Sequence, residues 1–208
     1  MRGRFITLEG IDGAGKSTHL QWLAQFLEGR GVKVRLTREP GGTELGEKLR
    51  DLVLARNYQL HPETETLLMF AARREHVEKV LLRALDTGEW VLCDRFTDAT
   101  YAYQSGGSGV AWDKIVLLEQ WAHHGLQPDL TLLLDVSPDV GRQRATEGRT
   151  ADRFEREKQD YFLRVRRAYL RRAQECPDRI HVVDANGSLA KVRKALEDII
   201  IRFCFNGP

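Results

Sequence analysis

The residues best suited to chemistry lie near the start of the chain, in the run from Gly10 to Ser17. This run fits the pattern G-x-x-x-x-G-K-[ST], with a short apolar run before it and a helix-like stretch after it. Its glycines allow backbone N–H groups to surround phosphate oxygens, and the following helix directs the positive end of its dipole at them. Lys16 is placed to reach the outer phosphates and Ser17 to bind Mg²⁺. The pattern predicts a nucleoside triphosphate site, although a glycine-rich turn without a ligand would share part of it.

A phosphate-binding loop of this kind, the P-loop, identifies a nucleotide binder but not a reaction, because switches, motors and kinases all use it. The predicted ATP-binding residues are Gly10, Ile11, Asp12, Gly13, Ala14, Gly15, Lys16, Ser17 and Thr18.

Two further charged pairs follow apolar runs. Asp94 and Arg95 come directly after a strand-like run, and ligands of open parallel sheets bind beyond the carboxyl ends of the strands. The carboxylate suits a metal ion or water and the guanidinium suits a phosphate, whereas a purely structural ion pair is the alternative. Arg38 and Glu39 precede the sequence Pro-Gly-Gly-Thr, which ends at Thr43, a candidate helix cap. Either could reach the site, but charges beside such a turn are often only solvated.

Side chains suited to a base or a sugar occur in two places. On the predicted helix that starts at Glu63, Phe70 shares a face with Arg73 or Arg74, although packing in the core is the ordinary use of such a ring. The run Thr97–Gly107 carries two tyrosines, several hydroxyls and an amide, which could equally be satisfied by the backbone.

The segment from Arg142 to Arg172 is rich in arginine and glutamate and contains no strand-like run. We interpret it as two helices that flank an exposed, mobile loop. Arginines that close over phosphates stabilise the charge of phosphoryl transfer, and the prediction assigns this role to Arg149 and Arg153. Many of the other arginines here must be plain surface residues.

Short apolar runs alternate with longer helix-like stretches along the chain, which predicts an α/β fold. We expect a three-layer, doubly wound parallel sheet of about five strands flanked by helices, in a single domain over residues 1–208 with a mobile lid at about 142–155. The predicted strands are Phe5–Leu8, Val32–Leu36, Trp90–Cys93, Leu130–Leu134 and Ile180–Val183. The predicted helices include Thr18–Glu28, Glu44–Leu54, Glu63–Leu85, Trp112–His124 and Ser188–Phe203.

The composition excludes several classes of partner. Among 208 residues, 32 Lys and Arg nearly balance 30 Asp and Glu, so we expect no nucleic-acid partner. Cys93, Cys176 and Cys204 form no paired pattern and are predicted to be reduced thiols. Because no apolar stretch is long enough for a signal peptide or a membrane span, we expect no membrane partner and a cytoplasmic location.

Together these motifs resemble the thymidylate kinase family over nearly the whole chain. The runs that begin at Arg38, Asp94 and Tyr101 look like family signatures and occur in family order. The resemblance implies ATP-dependent phosphorylation of thymidine monophosphate (dTMP) to the diphosphate, with Mg²⁺ as cofactor, ATP and dTMP as small-molecule substrates, and a homodimer.

The same resemblance implies roles for individual residues. The monophosphate would be held by Arg38, Arg50 and Arg95, and Mg²⁺ with nearby water would be organised by Asp12 and Glu39. Thr100 and Gln104 would meet the thymine, and Tyr103 would pack against the sugar and disfavour a 2′-hydroxyl. The implied catalytic residues are Lys16, Asp12, Arg95, Arg149 and Arg153, and the implied Mg²⁺ ligands are Ser17, Asp12 and Asp94.

Two positions depart from the family pattern. The family has a phenylalanine that stacks on thymine four residues before an arginine, a spacing that fits Met69 with Arg73 or Phe70 with Arg74. Our prediction is Phe70 as the stacking ring and Arg73 as the donor to the base edge, with Arg74 in reserve. In the lid, Thr146 and Gly148 stand where further arginines are common, which leaves Arg149 as the expected catalytic arginine.

Two other functions remain open at this point. A kinase for another nucleoside monophosphate would share all of the phosphate-binding residues. A nucleotide-dependent switch would also use a P-loop, but the sequence lacks the guanine-reading run Asn-Lys-x-Asp.

Overall fold

The computed structural model describes residues 2–55, 59–146 and 159–205. Five parallel strands form one sheet in the order β2-β3-β1-β4-β5. Their bounds are Phe5–Glu9 (β1), Val34–Arg38 (β2), Trp90–Asp94 (β3), Leu130–Asp135 (β4) and Ile180–Asp184 (β5). The predicted parallel sheet of about five strands is confirmed.

Strand β2 lies two residues later than predicted. Its register against β3 pairs Val34 with Trp90 and Arg38 with Asp94. The polar residues Thr37 and Arg38 therefore belong to β2, which ends opposite the last residue of β3. Hydrogen bonding to a neighbouring strand, rather than the apolar run itself, sets where this edge strand ends. Arg38 and Asp94 thereby end at the same edge of the sheet.

The described residues form nine α-helices. They are Lys16–Glu28 (α1), Glu44–Leu54 (α2), Pro62–His76 (α3), Leu82–Asp86 (α4), Thr97–Thr100 (α5), Trp112–His123 (α6), Pro138–Thr146 (α7), Gln159–Glu175 (α8) and Leu189–Cys204 (α9). Thr43 caps α2 by accepting a hydrogen bond from the Gly46 backbone N–H at 2.9 Å, as the sequence suggested.

Two helical regions differ from the prediction. The single helix predicted from Glu63 to Leu85 is interrupted by the π-helical segment Val77–Leu81 between α3 and α4. The run after Arg95, for which no helix was predicted, forms α5 and then the π-helical segment Tyr101–Gly107. Glycines and β-branched residues make this run a poor helix former, so its tertiary packing stabilises the helix.

Helices cover both faces of the sheet, because alternate side chains of the buried strands point to opposite sides. On β1, Ile6 and Leu8 join a core cluster with Leu23 of α1 and Val165 of α8. Phe5 of the same strand joins a second cluster on the other face, formed largely by α4 and the segment before it. This arrangement is the predicted three-layer, doubly wound fold.

No helix in the described part of the chain is both long and apolar enough to cross a membrane. Most of the predicted lid, including Arg149 and Arg153, lies outside the described residues.

Candidate active site

The P-loop connects β1 to α1, and its conformation requires glycine at two positions. Gly13 has a φ of 77°, and a Cβ there would lie 1.9 Å from the carbonyl oxygen of Gly141. Gly15 has a φ of 90° and forms the N-cap of α1. L-residues with side chains rarely adopt this left-handed conformation. The sequence pattern therefore corresponds to a loop that ends in a helix N-terminus, where backbone N–H groups can bind an anion.

Lys16, the first residue of α1, folds back over this loop. Its Nζ donates to the carbonyl oxygens of Gly10 and Ile11, each at 3.0 Å, and lies 3.8 Å from the Asp12 carboxylate. Burial, together with the charge of Arg95, lowers the pKa of Lys16. A desolvated ammonium group at this position gains from a phosphate close by.

Two oxygen side chains meet beside the loop. Ser17 Oγ donates to Asp94 Oδ2 at 3.4 Å, because β1 and β3 are neighbours in the sheet and both end here. A hydroxyl and a carboxylate are the oxygen ligands that Mg²⁺ prefers. Within the described residues no group of three or more His, Cys, Asp or Glu is arranged to hold a metal, so an ion here would take further ligands from phosphate and water.

A cavity of about 430 Å³ opens next to the P-loop. Its wall includes most of the residues predicted to bind the acceptor, namely Arg38, Glu39, Arg50, Arg73, Arg95, Thr100, Tyr103 and Gln104. Burial, followed by the charges of Arg38 and Arg95, lowers the pKa of Arg50. Three guanidinium groups therefore repel one another around this cavity, and a bound anion would relieve the repulsion.

Arg95 is held in a strained conformation by several contacts. Its φ is 71°, which is unfavourable for a residue with a side chain. The guanidinium donates to Asp12 Oδ1 at 2.6 Å and to the Tyr103 hydroxyl at 2.9 Å. Although burial acts in the opposite direction, Asp12 and Tyr103 raise the pKa of Arg95 above its ordinary value. Strain that persists through such contacts is typical of functional sites.

The Glu9 carboxyl group contacts the backbone next to Arg95 and stabilises the strained Arg95 conformation. Its buried carboxyl group accepts from the backbone N–H of Phe96 at 2.6 Å and from the Tyr169 hydroxyl of α8 at 2.9 Å. Burial, with a contribution from Asp98, raises the pKa of Glu9 to about 8. The prediction from sequence did not include Glu9, because its partners lie 87 and 160 residues away.

Glu39 is the anchor of Arg73. Its carboxylate accepts from Arg73 Nε at 2.6 Å and makes a 2.8 Å hydrogen bond with His76 Nδ1, while His76 Nε2 bonds to the Thr37 hydroxyl at 2.7 Å. Both carboxylate oxygens of Glu39 are engaged and 3% of the residue is exposed, so the carboxylate fixes the position of the Arg73 guanidinium. Its role in organising Mg²⁺ remains a prediction from the sequence. Arg73 and His76, which stand three residues apart on α3, share a face, but only the fold brings Glu39 to it.

The structure places Met69, not Phe70, on the cavity wall. Phe70 is buried in a cluster with Tyr101, Val110 and Ile115, so its ring belongs to the core and the expectation of a stacking ring there is not met. Adjacent residues of a helix point about 100° apart, and the packing of α3 against α6 decides which of the two faces the cavity.

A second cavity, of about 470 Å³, also borders the P-loop, between Thr18 and the residues from Gly187 to Leu189 at the start of α9. Arg144 of α7 lines it and donates to the carbonyl oxygens of Ala185 at 2.9 Å and Asn186 at 3.3 Å. Arg144 belongs to the arginine-rich segment that starts at Arg142, and the sequence predicts no separate role for it. Its position beside the P-loop depends on β4 and β5 being neighbours in the sheet.

A parallel α/β sheet with a P-loop at its carboxyl edge, flanked by an arginine-lined cavity, defines a P-loop kinase of phosphorylated nucleosides. Residues 8–196 match the family described as Thymidylate kinase. The chain therefore belongs to the thymidylate kinase family.

Individual relatives agree with this assignment. The chain is 60% identical to the thymidylate kinase of Nitrosospira multiformis over 96% of this chain and 98% of the relative, and 59% identical to that of Nitrosomonas europaea over 97% and 94%. The crystal structure of thymidylate kinase from Ehrlichia chaffeensis superposes with a TM-score of 0.77, at 33% identity, covering 96% of this chain and 99% of that one.

Proposed function

We propose that this chain transfers the γ-phosphoryl group of ATP to the phosphate of dTMP, which yields ADP and dTDP. The observation that carries the proposal is the convergence of Arg38, Arg50 and Arg95 on a cavity that opens directly beside the P-loop. A phosphorylated donor and a phosphorylated acceptor would thereby lie on adjoining sites. The identity of 60% to a protein named thymidylate kinase supports the same reaction.

The acceptor phosphate would lie among these three arginines. One of its oxygens attacks the γ-phosphorus as the bond from that phosphorus to the β-γ bridging oxygen breaks, and the bridging oxygen leaves with ADP. Arg95, fixed by Asp12 and Tyr103, would orient the attacking oxygen. Positioning and neutralisation of charge supply most of the catalysis in this class of reaction.

The donor phosphates would lie in the P-loop, with Lys16 on the β- and γ-phosphates. The second cavity, with Arg144 on its wall, would then hold the adenine base. Lid closure would bring Arg149 or Arg153 to the transferring group and exclude water.

Mg²⁺ would be held by Ser17 and Asp94, whose oxygens already lie together. When bound, the ion would neutralise part of the charge of the phosphates. The Asp12 carboxylate pairs with Arg95 at 2.6 Å and lies 3.8 Å from Lys16 Nζ, so we assign it to the acceptor side of the site. There it would orient water molecules near the metal ion.

The acceptor base would lie against Met69, with Arg73 and Gln104 at its polar edge and Thr100 close by. Arg73 NH1 is buried and has no hydrogen-bond partner among the described residues, so it would remain available to donate to the base. The Tyr103 ring stacks against the Arg95 guanidinium, whose Cζ lies 4.8 Å from the ring centroid. Tyr103 would contact the sugar.

The second copy in a homodimer would cover the exposed apolar residues of α3 and α6. Leu67, Leu117 and Trp121 are 55%, 64% and 77% exposed, respectively, and α3 packs against α6. Exposed apolar side chains on adjoining helices are typical of an interface. A single domain with a lid over residues 142–155 and a cytoplasmic location remain predictions from the sequence.

ADP release from ATP and Mg²⁺, measured without acceptor and with dTMP, dUMP, dCMP, dGMP, AMP and UMP in turn, tests the proposal. We expect strong stimulation by dTMP, well above that by dUMP. Stimulation by a different monophosphate alone would retain the phosphate residues and overturn the base assignment. Hydrolysis that does not depend on an acceptor would indicate a nucleotide switch instead.

A further inference from the structure

A buried hydrogen bond links two side chains at the wall of the acceptor cavity. Gln104 Nε2, in the π-helical segment, donates to Glu65 Oε1 of α3 at 2.8 Å. Glu65 is 3% exposed and Gln104 is 1% exposed, so water does not compete for this contact. Gln104 lines the cavity, whereas Glu65 lies behind it.

This contact determines which end of the Gln104 amide faces the ligand. A carboxylate can only accept hydrogen bonds, so the amide must direct its NH₂ group at Glu65. Rotating the amide by half a turn would place two oxygens about 2.8 Å apart, without a proton between them. Gln104 Oε1 makes no hydrogen bond among the described residues and is left as an acceptor at the cavity.

Arg73 supplies the matching donor on the same wall. Its Nε is bound to Glu39 and its NH2 to the carbonyl oxygen of Phe96 at 3.2 Å, which leaves NH1. The guanidinium also lies 4.7 Å from the ring centroid of Phe70, so it cannot easily reorient. Within the described part of the chain, one unpaired donor, Arg73 NH1, and one unpaired acceptor, Gln104 Oε1, therefore remain for a base bound at this wall.

We propose that Glu65 is a positioning residue that fixes the Gln104 amide and thereby makes the site select thymine over cytosine. The inference rests on the proposed function and deepens it. Thymine offers an acceptor at O4 and a donor at N3–H, which complement Arg73 NH1 and Gln104 Oε1. Cytosine offers a donor at its 4-amino group and an acceptor at N3, so both contacts become mismatches.

Without Glu65, one of the two mismatches could be relieved. A free Gln104 amide can rotate and donate from its NH₂ group to cytosine N3, whereas Arg73 carries only donors and cannot adapt. Sites built to hydrogen-bond a particular edge reject the wrong edge strongly, because buried polar groups are left unpaired. By holding the Gln104 amide in one orientation, Glu65 maintains the mismatch between Gln104 Oε1 and cytosine N3.

The test compares dTMP with 5-methyl-dCMP, which keeps the methyl group and changes only the polar edge of the base. In the unaltered protein we expect kcat/KM for 5-methyl-dCMP to be at least a hundredfold below that for dTMP. In Glu65→Gln, whose amide can both donate and accept, the ratio of kcat/KM for 5-methyl-dCMP to that for dTMP should rise by about tenfold. Glu65→Met, which removes the acceptor with little change in volume, should raise the same ratio and replaces the first variant if that does not fold.

Glu63→Gln is the matched control, because Glu63 lies on the same helix but is exposed and paired with Lys114. Its ratio should stay at the unaltered value. A purely structural role of Glu65 would lower both kcat/KM values in parallel, and an unchanged ratio in folded Glu65 variants overturns the inference. Equal use of the two nucleotides by the unaltered protein also overturns it, whereas no activity with dTMP would refute the proposed function itself.

Discussion

At the scale of single residues, the Glu9 carboxyl group connects three parts of the site. It accepts from the backbone beside Arg95 and from Tyr169 of α8, while it lies at the end of β1 where the P-loop begins. Buried groups of this kind affect both the position of a neighbour and the pH dependence of stability.

The pH dependence follows from the direction of the shift. The pKa of Glu9 is about 8 in the fold against an ordinary value of 4.5, so the folded protein holds this proton more tightly than the unfolded chain. The corresponding stability is complete below pH 4.5 and is lost as the pH rises through 8. We expect Glu9→Gln, which cannot ionise, to gain stability relative to the unaltered protein between pH 5 and pH 9, reaching roughly 2–4 kcal/mol.

Urea unfolding at pH 5, 7 and 9 measures this gain. Glu44→Gln, which alters an exposed carboxylate paired with Lys48, serves as the control and should show no such trend. A Glu9→Gln protein whose difference in stability from the unaltered protein is constant across these pH values would contradict the prediction.

A second prediction for single residues concerns the lid arginines and rests on the sequence alone. Arg149→Ala should lower kcat by about 10³-fold and leave the binding of dTMP unchanged, because the guanidinium acts on charge that develops only during transfer. Arg153→Ala should have the smaller effect. Single-turnover rates and calorimetric titration with dTMP separate the two quantities, and Arg171→Ala, an exposed arginine paired with Glu175, is the control. A large rise in the dissociation constant for dTMP would assign Arg149 to acceptor binding instead.

At the scale of elements, α8 packs closely on the π-helical segment that carries Tyr103 and Gln104. A Cβ added at Gly106 would lie 2.5 Å from the Ala168 Cβ, and one at Gly107 would lie 2.6 Å from the Tyr161 ring. The side-chain–backbone bond from Arg164 to the Gly107 carbonyl oxygen, at 2.9 Å, fixes the same contact. The two glycines thus allow the helix that follows the lid to support the acceptor site.

Gly106→Ala should therefore displace this segment. We expect KM for dTMP to rise by about tenfold or more while KM for ATP stays close to its original value, because the P-loop lies on other elements. Gly29→Ala, where a Cβ would lie 3.3 Å from the nearest atom, is a matched control with an ordinary backbone conformation. Equal changes in both KM values would indicate general loss of structure rather than this local displacement.

At the scale of the whole molecule, the apolar face of α3 and α6 predicts self-association. Trp121→Glu places a charge on a residue that is 77% exposed in the single chain, so it should cost little in the monomer and disrupt a dimer. Light scattering coupled to gel filtration should give about half the mass of the unaltered protein. Leu189→Glu, at a 47% exposed residue on α9, should leave the mass unchanged. A Trp121→Glu protein of unaltered mass would show that this face is not the interface.

Much of the architecture could be predicted from the sequence, because it depends on local patterns. The apolar runs specify the five strands, and the P-loop spacing specifies a phosphate site between β1 and α1. Both depend on neighbours in sequence, so no distant contact is needed to recognise them. The alternation of strands with helices likewise predicts that the carboxyl ends of the strands share one edge.

The tertiary structure alone decided which side chains orient the functional ones. The positions of Glu9, Glu65 and Glu39 relative to Phe96, Gln104 and Arg73 depend on contacts across 87, 39 and 34 residues. It also decided that Met69 rather than Phe70 faces the cavity. Helical periodicity tells which residues share a face of a helix, but not which other element that face packs against. A sequence specifies the chemical groups, whereas the packing of distant elements fixes the direction in which each group points, because hydrogen bonds require partners within about 3 Å.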